Sequence, residues 1–329
     1  MNHQSFPTEL ASMRAAAIDH FGPPSEIKVH KVPVPRPGPR EILIELHTAG
    51  VGEWDESIRD GSWRPGGRVR FPLVLGIDGA GIVVEKGARV RRFQVGDRAY
   101  GFALGKGKGG FYAEYAVLDE REAAPVPPGL DLVQAGAGAV TGLTALQGID
   151  GVLKVCKGET VLIFGASGAV GTLAVQFAKR RGARVLATAS GRTASKVVRE
   201  LGADAVIDAR NAKAVELLRE LVPDGIDAVL ALAGGKELER CLDFVREGGR
   251  IAHPHGVKPE PKRRRGFQIR AYDGVAGSRE FARLEEAVAE ARLRIPIAAQ
   301  YPLASAAKAH RRLHERVLGR IVLRIRRGN

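Results

Sequence analysis

A glycine-rich run at residues 165–171, GASGAVG, has the residue types and spacing of a phosphate-binding turn. Its glycines stand at every third position, directly after the apolar run 160–164. The first glycine of such a turn permits a tight bend, the second lets the backbone approach a pyrophosphate, and the third lets a helix pack on the strand. Amides at the helix start then face the phosphate charge. The run predicts a dinucleotide site formed by Gly165, Ser167, Gly168, Ala169, Val170 and Gly171.

The residues that follow the turn by about 20 positions indicate which dinucleotide binds. An acid at the end of the second strand is typical of a cofactor with a free ribose 2′-hydroxyl, but residues 187–199 contain none. Ser190 offers a hydroxyl to a 2′-phosphate, and Arg192 and Lys196 offer positive charge. Solvated charges at a helix start are the alternative for these two, although the helix dipole disfavours cations there. We therefore predict NADPH as the cofactor.

The elements around the turn have the pattern of a doubly wound parallel sheet. From about residue 130, apolar runs alternate with amphipathic segments, which is typical of α/β folds. Residues 13–125 are instead rich in Gly, Pro and Val, with short runs between turn signals, and predict a β-rich, barrel-like domain. The predicted strands are 160–164, 184–189, 205–207, 227–232, 250–252 and 320–326, and the predicted helices are 54–60, 169–181, 193–201, 211–221, 236–246 and 305–317.

Composition narrows the class of protein. The chain has 329 residues, of which 44% are hydrophobic, so it is long enough for two domains. Its two cysteines, Cys156 and Cys241, are too few for a disulfide framework, which favours the cytoplasm. No apolar run approaches the ~20 residues that span a membrane. The net charge of +14 favours anionic ligands, and we interpret the basic run 262–265 as a solvated loop rather than a nucleic-acid site.

From Met13 onward, the sequence resembles the zinc-free quinone oxidoreductase (zeta-crystallin-like) branch of the medium-chain dehydrogenase/reductase superfamily. The resemblance is carried by AGV at 49–51, IRDG at 58–61, PLVLGIDGAG at 72–81, FQVGDR at 93–98, TGLTAL at 141–146, the GASGAVG turn, LGAD at 201–204 and GRIVL at 319–323. It implies a GroES-like catalytic domain from residues 13–128 and 296–329, a Rossmann NADPH-binding domain from residues 129–295, and a homodimer.

The resemblance also bears on zinc. Alcohol dehydrogenases of this superfamily place a Cys in the first of these motifs and a His-Glu pair in the third, where this chain has Gly52 and Ile77-Asp78. Tetrahedral zinc requires three or four nearby ligands, and residues 137–140 add no Cys. The remaining histidine pairs supply two ligands each at most, so we predict no metal site. These pairs are His253 with His255 and His310 with His314.

The substrate pocket departs from this branch, which typically has Asn-Pro-Val-(Asp/Glu) after AGV and a Tyr before Ile-Arg. Here the chain has GEWD at 52–55 and Ser57. Asp55 is the candidate catalytic residue, with a helix cap or an ion pair with Arg59 as alternatives. Thr141 stands where the family approaches the nicotinamide. The other cofactor contacts carried over are Ala233, His253 and Arg316.

Without zinc as a Lewis acid, reduction of a conjugated carbonyl is favoured because it delocalises the developing charge. We therefore predict a zinc-independent, NADPH-dependent oxidoreductase that transfers hydride to a quinone or another α,β-unsaturated carbonyl. An enoyl or alkenal double-bond reductase is the nearest alternative, although no tyrosine proton donor is found in the motifs. An NADPH-binding, nucleic-acid-associated protein with little catalysis is the alternative of another class.

Overall fold

The computed structural model of the chain describes residues 12–63, 69–104, 110–315 and 317–326. It divides into two compact units. Unit 1 consists of Met1–Val140, Ala276–Ala282 and Ile297–Asn329, and unit 2 consists of Thr141–Val275 and Arg283–Pro296. Segments from both ends of the chain therefore form one unit, and most of the middle forms the other.

The strands, in chain order, are β1 (Ser12–Ile18), β2 (Lys28–Pro33), β3 (Glu41–Val51), β4 (Leu73–Val74), β5 (Asp78–Lys86), β6 (Arg98–Phe102), β7 (Tyr115–Asp119), β8 (Ala123–Pro125), β9 (Thr160–Phe164), β10 (Arg184–Thr188), β11 (Ala205–Ile207), β12 (Ile226–Ala231), β13 (Val245–Pro254), β14 (Gln268–Tyr272), β15 (Ile297–Pro302) and β16 (Arg320–Arg324). The α-helices are α1 (Glu53–Asp60), α2 (Leu132–Leu146), α3 (Ala169–Arg180), α4 (Arg192–Glu200), α5 (Ala214–Leu221), α6 (Lys236–Leu242), α7 (Ser278–Ala291) and α8 (Ala306–Arg312).

Unit 2 is built on a parallel sheet with the strand order β11-β10-β9-β12-β13-β14. Strand β9 lies inside the sheet, between β10 and β12. Its side chains from Val161 to Ile163 are fully buried, as expected for a parallel strand with both faces covered. The predicted doubly wound α/β fold is confirmed, and the carboxyl ends of β9, β10 and β12 are where such sheets bind ligands.

Unit 1 contains a larger sheet with the order β15-β16-β3-β5-β6-β8, in which β7 also pairs with β3. Apart from the parallel pair β15–β16, its pairs are antiparallel. A smaller sheet has the order β2-β1-β4. The β-rich architecture predicted for residues 13–125 is confirmed. The last strand, β16, pairs with β3, so the sheet joins the two ends of the chain.

Three elements were not expected from the sequence, and several boundaries differ: α8 ends at Arg312 rather than 317, and β13 begins at Val245 rather than 250. Helices α2 and α7 and strand β14 have no counterpart among the predicted elements. Helix α6 ends at Leu242, earlier than predicted, because Val245 already pairs with Ile226 in the parallel sheet. Within the described residues, none of the helices is long and apolar enough to cross a membrane.

Candidate active site

The glycine turn of unit 2 has the geometry of a phosphate cradle. Gly165 follows β9 with a φ of 88°, in the left-handed region that favours glycine. Its amide donates to Thr188 Oγ1 over 2.8 Å, which ties the turn to the end of β10. A Cβ on Gly171 would overlap the carbonyl oxygen of Gly165. Only glycine at this position therefore lets α3 pack this closely on the turn.

The middle glycine leaves room for a ligand. A Cβ on Gly168 would meet only the Gly165 carbonyl oxygen, at 3.5 Å, so the space beside it is open. Gly168 is also the N-cap of α3 and provides no side-chain cap. Because the first amides of a helix lack intrahelical partners, a phosphate is a suitable acceptor for them. The turn fits the pyrophosphate of a dinucleotide.

The end of β10 carries a feature that the sequence analysis missed. Ser190 donates its hydroxyl proton to Asp208 Oδ1, 2.9 Å away. Asp208 follows β11, whose parallel register places Ile207 opposite Thr188. The segment directly after β10 contains no acid up to residue 199, and the acid at this edge comes instead from the segment after the neighbouring strand, β11. Because consecutive parallel strands end at the same edge of the sheet, the alternation of strands and helices in the sequence could have placed Asp208 near Ser190.

The other residues predicted to contact the cofactor lie in different settings, all of them in unit 2 except Arg316. Arg192 begins α4 and is exposed, and Lys196 is also exposed, 3.9 Å from Glu200. Thr141 is buried within α2, and His253 is buried in β13 with Nδ1 3.3 Å from the Pro254 carbonyl oxygen. Ala233 lies just beyond β12 and Arg316 lies outside the described residues. The roles of these residues remain predictions.

Unit 1 holds a connected set of buried polar side chains, each of them at most 7% exposed. The set, called the buried polar cluster below, consists of Asp55, Arg59, Asp78, Tyr112, His310 and Arg320. Elements far apart in the sequence supply these residues, namely α1, the start of β5, the segment before β7, α8 and β16. Burial of so many charged groups is costly unless they pair, and their pairing determines what the cluster can do.

Arg320 is the cation at one end of the cluster. Its Nη2 donates to Asp78 Oδ1 over 2.9 Å, and the Val140 amide lies 3.3 Å from Asp78 Oδ2. A Cβ on Gly52 would lie 2.6 Å from Arg320 Nη1, and one on Gly50 would lie 2.6 Å from Nη2. The guanidinium therefore occupies the space that a side chain at position 52 would need.

These residues do not fit a zinc ion at the positions named by the resemblance. Gly52 offers no donor, and the carboxylate of Asp78 is engaged by Arg320. A cysteine at position 52 would require the guanidinium to move. Across the residues that the structure describes, no group of three or more His, Cys, Asp or Glu side chains could hold a metal.

Asp55 lies in the first turn of α1 and caps it. Its Oδ2 accepts the Gly52 amide over 2.8 Å, which is one half of a capping box. Its Oδ1 has no hydrogen bond of normal geometry among the described residues, and the nearby Tyr112 hydroxyl acts on this carboxyl as a donor that opposes the rise of its pKa. Complete burial raises the pKa of Asp55 to about 7, against the opposing effect of the nearby Arg320 charge. Of the alternative roles predicted for Asp55, the cap is present, while Arg59 pairs with Glu56 instead.

Tyr112 and His310 extend the cluster through hydrogen bonds whose donors and acceptors can be assigned. Arg59 Nη1 lies 3.2 Å from His310 Nδ1, and because a guanidinium only donates, Nδ1 is the acceptor. The imidazole proton is therefore on Nε2, which lies 3.2 Å from the Tyr112 oxygen and donates to it. Burial lowers the pKa of His310 to about 3, so the ring is neutral. Burial, followed by the charge of Asp55, raises the pKa of Tyr112.

Several residues of this cluster were not identified from the sequence as members of a common site. From the sequence, His310 is a candidate only as a metal ligand, and Tyr112 lies outside the motifs that carry the family resemblance. Arg320 belongs to the GRIVL motif but was given no role. Strand pairing brings these side chains together, and the motif spacing contains little information about it.

Comparison with known proteins agrees with this architecture. Residues 38–128 match the alcohol dehydrogenase GroES-like domain family, and residues 201–323 match the zinc-binding dehydrogenase family. The quinone oxidoreductase of Sus scrofa is 31% identical over 310 residues, which cover 91% of this chain and 93% of that protein.

Two solved structures are similar over nearly the whole chain. An NAD-dependent alcohol dehydrogenase is 31% identical, with a TM-score of 0.88 over 95% of this chain and 100% of that one. A mycobacterial protein in complex with NADPH is 27% identical, with a TM-score of 0.83 over 95% of this chain and 100% of that one.

The GroES-like unit, the doubly wound sheet and the glycine cradle together define a medium-chain dehydrogenase/reductase. Within that superfamily, the chain belongs to the quinone oxidoreductase branch, as its similarity to the curated members over most of its length shows. The protein is an oxidoreductase of this type. The resemblance inferred from the sequence motifs is confirmed.

Proposed function

We propose that the protein is a zinc-independent, NADPH-dependent oxidoreductase that transfers hydride to a quinone or another α,β-unsaturated carbonyl. The observation that carries this proposal is the Arg320 guanidinium, which pairs with Asp78 and lies against Gly52. This cation lies beside position 52, where the alcohol dehydrogenases of the superfamily carry a cysteine. A guanidinium stabilises delocalised negative charge by hydrogen bonds, whereas it does not acidify an alcohol as zinc does. Reduction of a conjugated carbonyl suits it better than alcohol oxidation.

The cofactor would be held by unit 2 and would supply the hydride. The amides around Gly168 would bind its pyrophosphate, and Arg192 and Lys196 would neutralise a 2′-phosphate. The remaining predicted contacts are Thr141, Ala233, His253 and Arg316. The mycobacterial relative in complex with NADPH supports this choice of cofactor.

Reduction of a conjugated carbonyl also consumes one proton, and we assign its supply to Asp55. Its carboxyl group, which lies beside the Tyr112 hydroxyl, would give up the proton. A carboxyl group whose pKa is about 7 has a large neutral fraction near neutral pH, as a general acid requires. Arg320, at the side of Asp55, would favour the carboxylate that remains after proton transfer.

The basic run at 262–265 gives little support to the nucleic-acid alternative. Arg264 Nη2 binds Glu239 Oε2 over 2.9 Å, and its Nη1 binds Asp243. Two acids thus already neutralise one of its cations, and the patch that would attract phosphates is reduced.

Oxidation of NADPH with quinones and enones in parallel tests the proposal. We expect turnover with at least one acceptor, a lower rate with NADH, and no loss of activity on addition of a chelator. The matched variant Asp55→Asn retains the cap to Gly52 but has no proton to give, and we expect it to lower kcat. Activity that disappears with chelator, or binding of neither dinucleotide, would contradict the proposal.

A further inference from the structure

The pair formed by Ser190 and Asp208 lies where the sequence predicts the 2′-phosphate of the cofactor. Ser190 Oγ is 2.9 Å from Asp208 Oδ1, and the Arg210 amide lies 3.2 Å from the same carboxylate oxygen. Both side chains are half-buried. A carboxylate accepts hydrogen bonds and does not donate, so the hydroxyl proton of Ser190 is directed at Asp208. Ser190 therefore has its single donor engaged already.

The Ser190–Asp208 pair favours a free ribose 2′-hydroxyl, whereas Arg192 and Lys196 favour a 2′-phosphate. A ribose 2′-hydroxyl can donate to the Ser190 oxygen or to the Asp208 carboxylate. A phosphate monoester carries up to two negative charges near neutral pH, and a neighbouring carboxylate repels it. The exposed side chains of Arg192 and Lys196 attract the same phosphate, although Lys196 is shared with Glu200. The site thus contains some residues that favour a 2′-phosphate and others that disfavour it.

We infer that Asp208 is a specificity-determining residue, whose carboxylate, together with the Ser190 hydroxyl that it holds, limits the preference for a 2′-phosphorylated dinucleotide. The chain then accepts NADH as well as NADPH. This inference rests on the proposed dinucleotide site at the glycine cradle. An acid just after β11 would then act where an acid at the end of β10 is more typical.

Calorimetric titration of the purified full-length protein with 2′,5′-ADP and 5′-AMP tests the inference without turnover, because the two ligands differ only in the 2′-phosphate. In Asp208→Asn, the amide oxygen still accepts the Ser190 hydroxyl while the charge is removed. We expect the Kd for 2′,5′-ADP to fall about tenfold and the Kd for 5′-AMP to change by less than about twofold. Glu220→Gln removes one exposed charge elsewhere in unit 2 and is the matched control.

The outcomes separate this inference from the proposed function. If the ratio of the two Kd values is the same in Asp208→Asn as in Glu220→Gln, the inference is overturned and the dinucleotide site stands. If the wild type binds neither ligand, nor NADP⁺ or NAD⁺, the dinucleotide site itself is overturned. The wild-type protein provides a second test. If it binds 2′,5′-ADP more than about a hundredfold more tightly than 5′-AMP, Asp208 does not limit the preference for a 2′-phosphate.

Discussion

The guanidinium of Arg320 donates to Asp78 over 2.9 Å while its Nη1 lies directly against Gly52. One cation thus neutralises a buried carboxylate and fills the space left by a missing side chain. Because Asp55 also lies within the influence of this charge, the two buried acids of the cluster depend on the same arginine.

Gly52→Ala tests the close packing of this arginine. The added Cβ would lie 2.6 Å from Arg320 Nη1, so the guanidinium must shift, and its burial and its bond to Asp78 limit how far it can. We expect a loss of about 1 to 3 kcal/mol in the free energy of unfolding, measured by urea denaturation. Gly151→Ala, where a Cβ meets nothing within 4 Å, is the control and should change stability little. Equal effects at the two positions would show that Arg320 is not confined.

Arg320→Met tests the electrostatic role of the arginine. The variant leaves Asp78 buried without its partner, and we expect a loss of about 3 to 5 kcal/mol in the free energy of unfolding. The double variant Arg320→Met/Asp78→Asn should recover part of this loss because it removes the unpaired charge. Arg121→Met breaks an ion pair with Asp119 at an exposed position and should have little effect. A double variant no more stable than Arg320→Met would contradict the proposed pairing.

Asp55→Asn tests the raised pKa through the pH dependence of stability. The native carboxyl keeps its proton up to about pH 7, whereas the unfolded one releases it near 3.8. Between these values the native state binds more protons, so Asp55 lowers the stability as pH rises, by up to about 1.4 kcal/mol per pH unit. We expect the wild type to lose about 2 to 3 kcal/mol more than the variant between pH 5 and pH 7.

The buried His310 has the opposite pH dependence, but it is common to the wild type and to Asp55→Asn. Its native pKa is lowered from 6.5 to about 3, so its contribution to stability is lost as pH falls through that range. The difference between the two proteins isolates Asp55. Parallel stability curves from pH 5 to pH 7 would show that its pKa is close to that of an ordinary carboxyl.

Tyr112→Phe tests the directed contact with His310. Removal of the hydroxyl leaves the proton on His310 Nε2 buried without an acceptor, because Arg59 fixes the tautomer. We expect a cost of about 1 to 3 kcal/mol in thermal or urea unfolding. Tyr301 on β15 is half-buried, so Tyr301→Phe is the control, and it should have little effect because water can reach its hydroxyl. Unchanged stability in Tyr112→Phe would contradict the tautomer assigned to His310.

The dinucleotide-binding half of the fold was largely predictable from sequence because its signals are local. Glycines at 165, 168 and 171 stand between a continuous apolar strand and an amphipathic helix, and each part supports the others. By contrast, α2 was missed because glycine weakens the expected helix pattern. Its glycines serve close packing, since a Cβ on Gly136 would lie 2.9 Å from Thr48 Cβ.

The buried polar cluster could not be derived in the same way. Arg320 meets Asp78 only because β16 pairs with β3 and β3 pairs with β5. Such pairings are non-local, and the sequence around each residue contains no trace of its partner. The contact between Asp208 and Ser190 was missed for the same reason, although the two residues are closer in the sequence. It arises because β11, which precedes Asp208, pairs with β10, which precedes Ser190.

The position of β16 near the end of the chain has a consequence for biosynthesis. A nascent chain leaves the ribosome from its N-terminus, so Asp78 emerges long before Arg320, the arginine that pairs with it. Unit 1 cannot bury the charged Asp78 at low cost until residue 320 has been released. The strands of unit 2 all lie between residues 160 and 272 and can pair earlier. The pairing of β16 with β3, and with it the Arg320–Asp78 ion pair, therefore forms only after the strands of unit 2 have been synthesised.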